Sequence, residues 1–465
     1  MSGSFSADGK EEINVPPTLV SFAVSTAKTG NIVTPEFKKA GSSVYLLKPP
    51  FPVNKKTDFK ALRKYFDSVE NLVKEGKILS AWAAGSGGTA EAVTKMCMGS
   101  RFGFNAQKDL YSGGTFGGFV VETEKELNRE PDELGVEYLG ITTEEYILKT
   151  PSFKISLDKI QDAWEKTLEP VYPCLIRQDG KTENFIYNDK TARVSLLKNN
   201  KPCFVIPVFP GTNSEYDTAR AVEKAGGKAQ TFVIRNLTPA GIAQSVIGFK
   251  KAVCSAQGIV FPGGFSGGDE PDGSGKFITA FIRNPAVSEA VMELLRERDG
   301  LICGICNGFQ ALVKLGLVPY GEIRDMTEDS PTLTFNTIGR HQSVLVNTRI
   351  VSNKSPWLSH FEAGECFIVP VSHGEGRFVA SEELILSLKE KGQIATQYAD
   401  FNGNAAMDIC FNPNNSNFSI EGITSEDGRV FGRMAHNERY DDGLYRNIPG
   451  MRKMDIFSGA VRYFK

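Results

Sequence analysis

The sequence predicts an α/β protein in two parts: a C-terminal, mostly parallel sheet carrying a nucleophile elbow, preceded by a smaller α+β module. Three runs carry that reading. Gly300-Leu-Ile-Cys-Gly304 is a short apolar strand that leads through Ile305-Cys306-Asn307-Gly308 into a helix, with Phe309, Leu312, Val313 and Leu317 on its apolar face. Gly258-Ile-Val-Phe-Pro-Gly263-Gly264 is a second buried strand, followed by a glycine-rich loop through Asp269. Gly428-Arg-Val-Phe-Gly-Arg-Met-Ala435 is a third, ending in His436-Asn437-Glu438-Arg439.

A Gly-x-Cys-x-Gly run between strand and helix has the form of a nucleophile elbow, with cysteine where many hydrolases carry serine. The flanking glycines permit a strained turn that holds the Cys306 side chain clear of the sheet. The helix N-terminus beneath it favours the thiolate, the reactive form. Two other readings compete. A cysteine at a strand end is commonly packing, and Cys303 with Cys306 makes a C-x-x-C pair suggestive of redox or zinc chemistry. Zinc needs two further ligands at matching spacing. Cys97, Cys174, Cys203, Cys254, Cys366 and Cys410 are scattered singly, and His341, His360, His373 and His436 form no close pair. No metal site is expected, and Cys303 reads as strand core.

A cysteine nucleophile needs a base, and the base needs an orienting group. His436 stands at the end of an apolar strand. In an extended chain residues i and i+2 point the same way, so Glu438 can hold its imidazole in one tautomer. An isolated H-x-E is often only polar surface. His373, in Ser372-His-Gly-Glu-Gly-Arg377, is the competing base, in a glycine-flanked loop with no evident orienting partner. An oxyanion hole needs backbone N–H groups, and the loop at Gly263-Gly264 lets bare backbone approach a ligand. It could also cradle phosphate or be plain solvent loop. The P-loop pattern fails at Gly275-Lys276, where Glu270 replaces the first glycine and Phe277 the hydroxyl residue.

These residues carry a resemblance. The G-x-C-x-G-x-Q run (304–310), the P-G-G loop and the late H-x-E resemble a class I glutamine amidotransferase domain. P-G-G-F-S-G-G-D (262–269), S-H-G-E-G-R (372–377), N-P-N-N-S (412–416) and D-G-R-V-F-G-R-M-A-H-N-E-R (427–439) are similar to the glutaminase domain of the phosphoribosylformylglycinamidine synthase family, over residues 201–465. The resemblance implies a flavodoxin-like fold with Cys306 as nucleophile, His436 as base and Glu438 as its orienting partner. It further implies oxyanion N–H groups from Gly264 and Asn307, and Gln310 helping to hold L-glutamine. Many family members have proline where this chain has Asn437. In the family, glutamine is hydrolysed through a thioester, and ammonia passes through a channel to a synthetase site. There formylglycinamide ribonucleotide becomes the amidine, with ATP and Mg²⁺. A stand-alone cysteine hydrolase or peptidase of the same fold, or a non-catalytic binding module, are the alternatives, and ammonia release from glutamine separates them.

The front of the chain has a different texture. Pro16–Val24 and Ser43–Leu47 read as strands, residues 57–76 as an amphipathic helix with Phe59, Leu62, Tyr65, Phe66, Val69, Leu72 and Val73 inward, and Thr89–Met98 as a helix opened by Gly85-Ser-Gly-Gly88. Tyr111–Glu122 and Glu137–Ile141 read as further strands. This order, over 44–170, resembles the C-terminal half of an aminoimidazole-ribonucleotide-synthetase-like (AIR-synthetase-like) repeat. Related modules often show His-Asp-x-Ser-Asp-Gly-Gly where this chain reads Ala83-Ala-Gly-Ser-Gly-Gly88, so the loop is expected to be structural. Residues 1–43 are expected to be the remnant of the preceding N-like module, and 171–200 a linker reached through a helix near Leu168, Pro170 and Pro173. Met1-Ser-Gly-Ser-Phe resembles an internal segment of the longer family chain. The expectation is a C-terminal fragment without the modules for formylglycinamide ribonucleotide and ATP, and with no cofactor of its own.

Composition narrows the class. The 465 residues are 41% hydrophobic, enough for separate cores, with a net charge of −2 that argues against a nucleic-acid surface. No apolar run approaches the ~18 residues of a membrane span, and no basic-then-apolar leader opens the chain. Eight dispersed cysteines suit a reducing, cytoplasmic compartment.

Overall fold

The computed structural model describes residues 3–7, 11–17, 19–50, 57–113, 116–127, 134–173, 176, 180–188, 194–268 and 274–465. The chain forms two units, Met1–Pro170 and Val171–Lys465.

In the first unit, β1 (Gly3–Ala7) and β2 (Glu11–Val15) form an antiparallel hairpin. A seven-stranded sheet follows, built from β3 (Ser43–Lys48), β4 (Ile78–Ala83), β5 (Gly103–Ala106), β6 (Phe119–Thr123), β7 (Gly135–Thr143), β8 (Ile147–Lys149) and β9 (Lys154–Ser156), in the order β4-β6-β3-β7-β5-β8-β9. Side chains alternate across β3 and are buried on both faces. Val44 and Leu46 join Ala92 and Met96 of α2 (Gly88–Ser100), whereas Tyr45 and Leu47 join Tyr65 and Val69 of α1 (Phe59–Lys74). α3 (Leu157–Lys166) ends before Pro170.

Several expectations for this unit need correction. The helix expected over 57–76 starts at Phe59 because the Asp58 carboxylate caps it, accepting from the Lys60 and Ala61 N–H groups at 2.9 and 3.1 Å. Phe59, in the first turn, and Phe66 are exposed rather than inward. The strand expected over Tyr111–Glu122 begins only at Phe119, after a stretch containing Gly117 at φ 78°, and β5 was not anticipated. Residues 19–28 form no strand, and Leu19, Phe22 and Val24 are exposed; no described strand pairs with them. At the Gly85–Gly88 loop, a Cβ on Gly88 would stand 2.3 Å from the Gly113 carbonyl oxygen, so tight packing dictates this glycine. The Gly87 N–H, which a phosphate would use, donates to the chain's own Glu91 carboxylate at 3.1 Å.

The second unit holds β10 (Cys203–Val208), α4 (Glu215–Lys224), β11 (Lys228–Val233), α5 (Pro239–Ser255), β12 (Gly258–Phe261), α6 (Lys276–Ile282), α7 (Pro285–Arg296), β13 (Leu301–Ile305), α8 (Asn307–Leu315) and α9 (Leu317–Tyr320). It continues with β14 (Thr332–Phe335), β15 (Gln342–Ile350), β16 (Cys366–His373), β17 (Glu375–Val379), α10 (Glu382–Glu390), β18 (Ile394–Ala399), β19 (Ile420–Thr424), β20 (Val430–Arg433) and α11 (Ile456–Tyr463). Its main sheet runs β11-β10-β12-β13-β20-β19-β18-β15-β16. The first five strands are parallel and the remainder antiparallel. β14 and β17 pair separately. Because β12, β13 and β20 are parallel neighbours, their C-terminal ends emerge together, which is where ligands bind open α/β sheets.

Residues 171–200, expected as a linker, pack onto this unit where they are described. Phe185 is buried and stacks on Phe418 at 5.7 Å, and the Tyr187, Ser195 and Asn199 N–H groups donate to Val351, Tyr463 and Phe464 carbonyls at 2.7–2.8 Å. The polar composition of this stretch concealed its backbone pairing.

Candidate active site

Every residue of β13 is buried, and Cys303 lies in the core with its thiol pKa pushed up by burial. The strain of the elbow sits on Cys306 itself, at φ 51° and ψ −106°, a conformation costly for a side-chain-bearing residue. The glycines on either side serve a different end from the one expected of them: they allow close approach. A Cβ on Gly304 would stand 2.7 Å from the Gly308 backbone, and one on Gly308 would stand 2.2 Å from the Phe261 carbonyl oxygen. We expect Gly308→Ala to lower stability by about 1–3 kcal/mol through overpacking against β12. The melting temperature checks this, together with a slower thiol-labelling rate at Cys306 as the elbow shifts.

The Cys306 N–H donates to the Arg433 carbonyl at 2.8 Å, tying the elbow to the end of β20. Two residues of bend later comes His436, whose Nδ1 pairs with Glu438 Oε1 at 2.6 Å. The two are brought together by a 3₁₀ turn over Asn437–Arg439, with His436 at φ −96° and ψ 86°, and not by strand alternation as expected. Both side chains are buried. Burial alone would depress the imidazole pKa, but the Glu438 charge and the adjoining Cys306 thiol outweigh it and raise it to about 9. Glu438 is lowered in turn: burial opposes ionisation, and the His436 charge and hydrogen bond overcome it.

Gly263 joins these parts. A Cβ there would stand 2.7 Å from His436 Cε1 and 3.4 Å from Cys306 Cβ, and its N–H donates to Ser214 Oγ at 3.0 Å. Gly264 has φ 142° and lies against Gly211 and Thr212, where a side chain would stand 2.4 Å from the Gly211 carbonyl oxygen. Asn307 opens α8; its Oδ1 accepts from the Ser266 N–H at 3.2 Å and its Nδ2 donates to Gln310 Oε1 at 3.1 Å. Gln310 in turn donates to the Glu375 carbonyl. Asp269 and Glu270 lie outside the described residues.

A cavity of about 270 Å³ opens here, with Gly264, Phe265, Cys306, Gln310, His373 and Glu375 among its walls. Of the residues singled out from the sequence, Gly264, Cys306 and Gln310 line this cavity; His436 adjoins Gly263 beside Cys306, Glu438 holds His436, and Asn307 holds Gln310. Sequence reasoning missed Ser214, Glu375 and Asn336. Asn336 orients the competing histidine: its Nδ2 donates to the Arg340 and His373 carbonyls at 3.0 and 2.8 Å, leaving Oδ1 to accept from His373 Nδ1 at 3.2 Å. Burial first, then the charges of His436 and His341, lower the His373 pKa to about 3. Asn412, Asn414 and Ser416 of the N-P-N-N-S run are buried beneath this loop, and Asn414 Nδ2 donates to the Gly376 carbonyl at 2.7 Å. Among the described residues no group of acidic, histidine and cysteine side chains is placed to hold a metal.

Comparison with known proteins matches the C-terminal part of the chain. The phosphoribosylformylglycinamidine synthase subunit PurQ of Pyrococcus horikoshii is 31% identical over 267 residues, covering 56% of this chain and 98% of the relative. Its counterpart in Methanococcus maripaludis is 38% identical over 231 residues, 49% of this chain and 79% of the relative. Among solved structures, one described as PurLQS from Thermotoga maritima has 25% identity and a TM-score of 0.41, covering 57% of this chain and all of that one. Residues 201–464 match the CobB/CobQ-like glutamine amidotransferase domain, more than half of the sequence, and the chain belongs to that family.

Proposed function

We propose that this chain hydrolyses L-glutamine to glutamate and ammonia as the glutaminase part of a phosphoribosylformylglycinamidine synthase, in purine biosynthesis. The observation that carries the reading is the elbow cysteine beside a carboxylate-oriented histidine, in a domain whose relatives bear that synthase's name. The Cys306 sulfur attacks the side-chain amide carbon. The resulting oxyanion is held by the Gly264 and Asn307 N–H groups, and Gln310 helps to position the substrate. The C–N bond then breaks, His436 supplies the proton to departing ammonia, and a thioester remains. Water, deprotonated by His436, adds to the thioester and releases glutamate and the thiol. Glu438 keeps the ring in one orientation throughout.

In this reading ATP, Mg²⁺ and formylglycinamide ribonucleotide belong to partner modules that receive the ammonia through a channel. The self-filled loop at Gly85–Gly88 supports placing the nucleotide elsewhere. A cytoplasmic setting is proposed on the cysteine usage; the described cysteines are all free, and no described helix is long and apolar enough to cross a membrane. Incubating the purified chain with glutamine and measuring ammonia and glutamate tests the reading. Turnover of peptides or esters, with none of glutamine, would replace it by the hydrolase alternative. A second expected result concerns synthesis. Residues 1–465 should release no ADP when given ATP, formylglycinamide ribonucleotide and ammonia, and substrate-dependent ADP would place the synthetase site within this chain.

A further inference from the structure

Between His436 and Glu438 stands Asn437, which uses both of its side-chain polar groups: Oδ1 accepts from Arg433 Nη1 at 2.6 Å, and Nδ2 donates to the Met454 carbonyl at 2.9 Å. Arg433 is wholly buried at the end of an otherwise apolar strand. It engages the Glu421 carboxylate through Nε at 3.2 Å and Nη2 at 2.7 Å, with Nη2 also meeting Thr348 Oγ1 at 3.4 Å and Nη1 meeting Met454 Sδ at 3.0 Å. Glu421 additionally accepts from the Ala435 N–H at 2.7 Å and Thr396 Oγ1 at 2.5 Å. The guanidinium thus spends all its donors, and the carboxylate is saturated.

We infer that Glu421, Arg433 and Asn437 form a buried tether that positions His436 and Glu438 against Cys306, an inference resting on the glutaminase reading above. Arg433 touches both halves of the site. Its backbone carbonyl accepts the N–H of the strained Cys306, and its side chain grips the residue between the two members of the His–Glu pair. Stability alone does not account for such a network, because desolvating two charges offsets most of their attraction and apolar residues of similar volume commonly serve as well. What the ion pair adds is direction. A bidentate arginine has one geometry, and its remaining nitrogen fixes where the Asn437 turn lies. Asn437, Arg433 and Glu421 are accordingly positioning residues.

The test uses the full chain and compares glutamine kcat, KM and melting temperature. Asn437→Ala is expected to lower kcat by about tenfold to a hundredfold while KM stays within about twofold, as expected for a base displaced by a fraction of an ångström. In a Glu421→Gln/Arg433→Met background the same substitution should add less than about twofold, since residues acting through one network are non-additive. Wild-type kcat in Asn437→Ala, or an equal loss in both backgrounds, overturns the tether. Should the background variant lose its cooperative melting, Asn437→Asp decides. It keeps an acceptor for Arg433, so activity well above that of Asn437→Ala supports the tether, and equal loss refutes it. A wild-type chain that releases no ammonia would instead remove the glutaminase reading, and the tether with it.

Discussion

Cys306→Ala is expected to end ammonia release from glutamine, a loss on the order of 10⁴-fold or more, as for removal of a nucleophile from an assembled constellation. No other described side chain can take its place. Cys303 lies three residues earlier in a fully buried strand, with a thiol that burial pushes further from ionisation. Cys303→Ala should therefore act on stability, costing about 1–2 kcal/mol for the lost packing, with turnover retained in the folded fraction. A glutamine-like chloroketone should alkylate residue 306 alone, read by peptide mass mapping. Labelling of Cys303, or of both, would revive the redox-pair interpretation of the C-x-x-C spacing and displace the elbow. Thermal melting of Cys306→Ala provides the control. The variant relieves a residue at φ 51° of no backbone strain, because alanine meets the same restriction, so its folding should stay close to wild type.

The second unit was legible where pattern and chemistry coincide. The apolar run into Gly304 and the helical spacing of Phe309, Leu312 and Val313 announce β13 and α8, and all these side chains are buried. Leu317 is buried too, but past the left-handed Gly316 that ends α8, a stop that glycine at that position signals. The pairing of His436 with Glu438 was found through the right spacing and the wrong geometry, since a 3₁₀ turn also sets i and i+2 near each other. What could not be read were partners from distant segments. Ser214 and Asn336 reach Gly263 and His373 across 49 and 37 positions, and nothing local marks them. One residue carried a signal that went unused: an arginine at the end of an apolar strand, as Arg433 is, must find a carboxylate. In the first unit the amphipathic pattern located α1, and the glycine loop at 85–88 located the start of α2. In 111–118 four glycines interrupt the alternation of side chains, and the strand expected from Tyr111 begins only at Phe119.

His436→Asn should stop turnover, and Glu438→Gln should weaken it by loosening and discharging the ring's partner. The site contains its own control for the second claim. His373 and His436 are both buried imidazoles, each with Nδ1 on a neighbouring side chain, at 3.2 and 2.6 Å. The partner of His373 is the neutral Asn336, and burial takes its pKa down to about 3. The partner of His436 is a carboxylate, which reverses the effect of burial and takes it up to about 9. Glu438→Gln converts the second arrangement into the first, so the His436 ring should lose its proton at lower pH than in wild type, observable by imidazole nitrogen NMR. The sign extends to stability. A pKa raised from 6.5 to about 9 on folding contributes stability that is fully present below pH 6.5 and is lost as pH rises through about 9. The excess melting temperature of wild type over His436→Asn should accordingly shrink across that window. His373→Asn, by contrast, should reduce activity only moderately, through the loop that holds the cavity wall. Complete loss at residue 373 with full activity at residue 436 would exchange their roles, and an unchanged ring titration in Glu438→Gln would mean that the carboxylate does not govern the base.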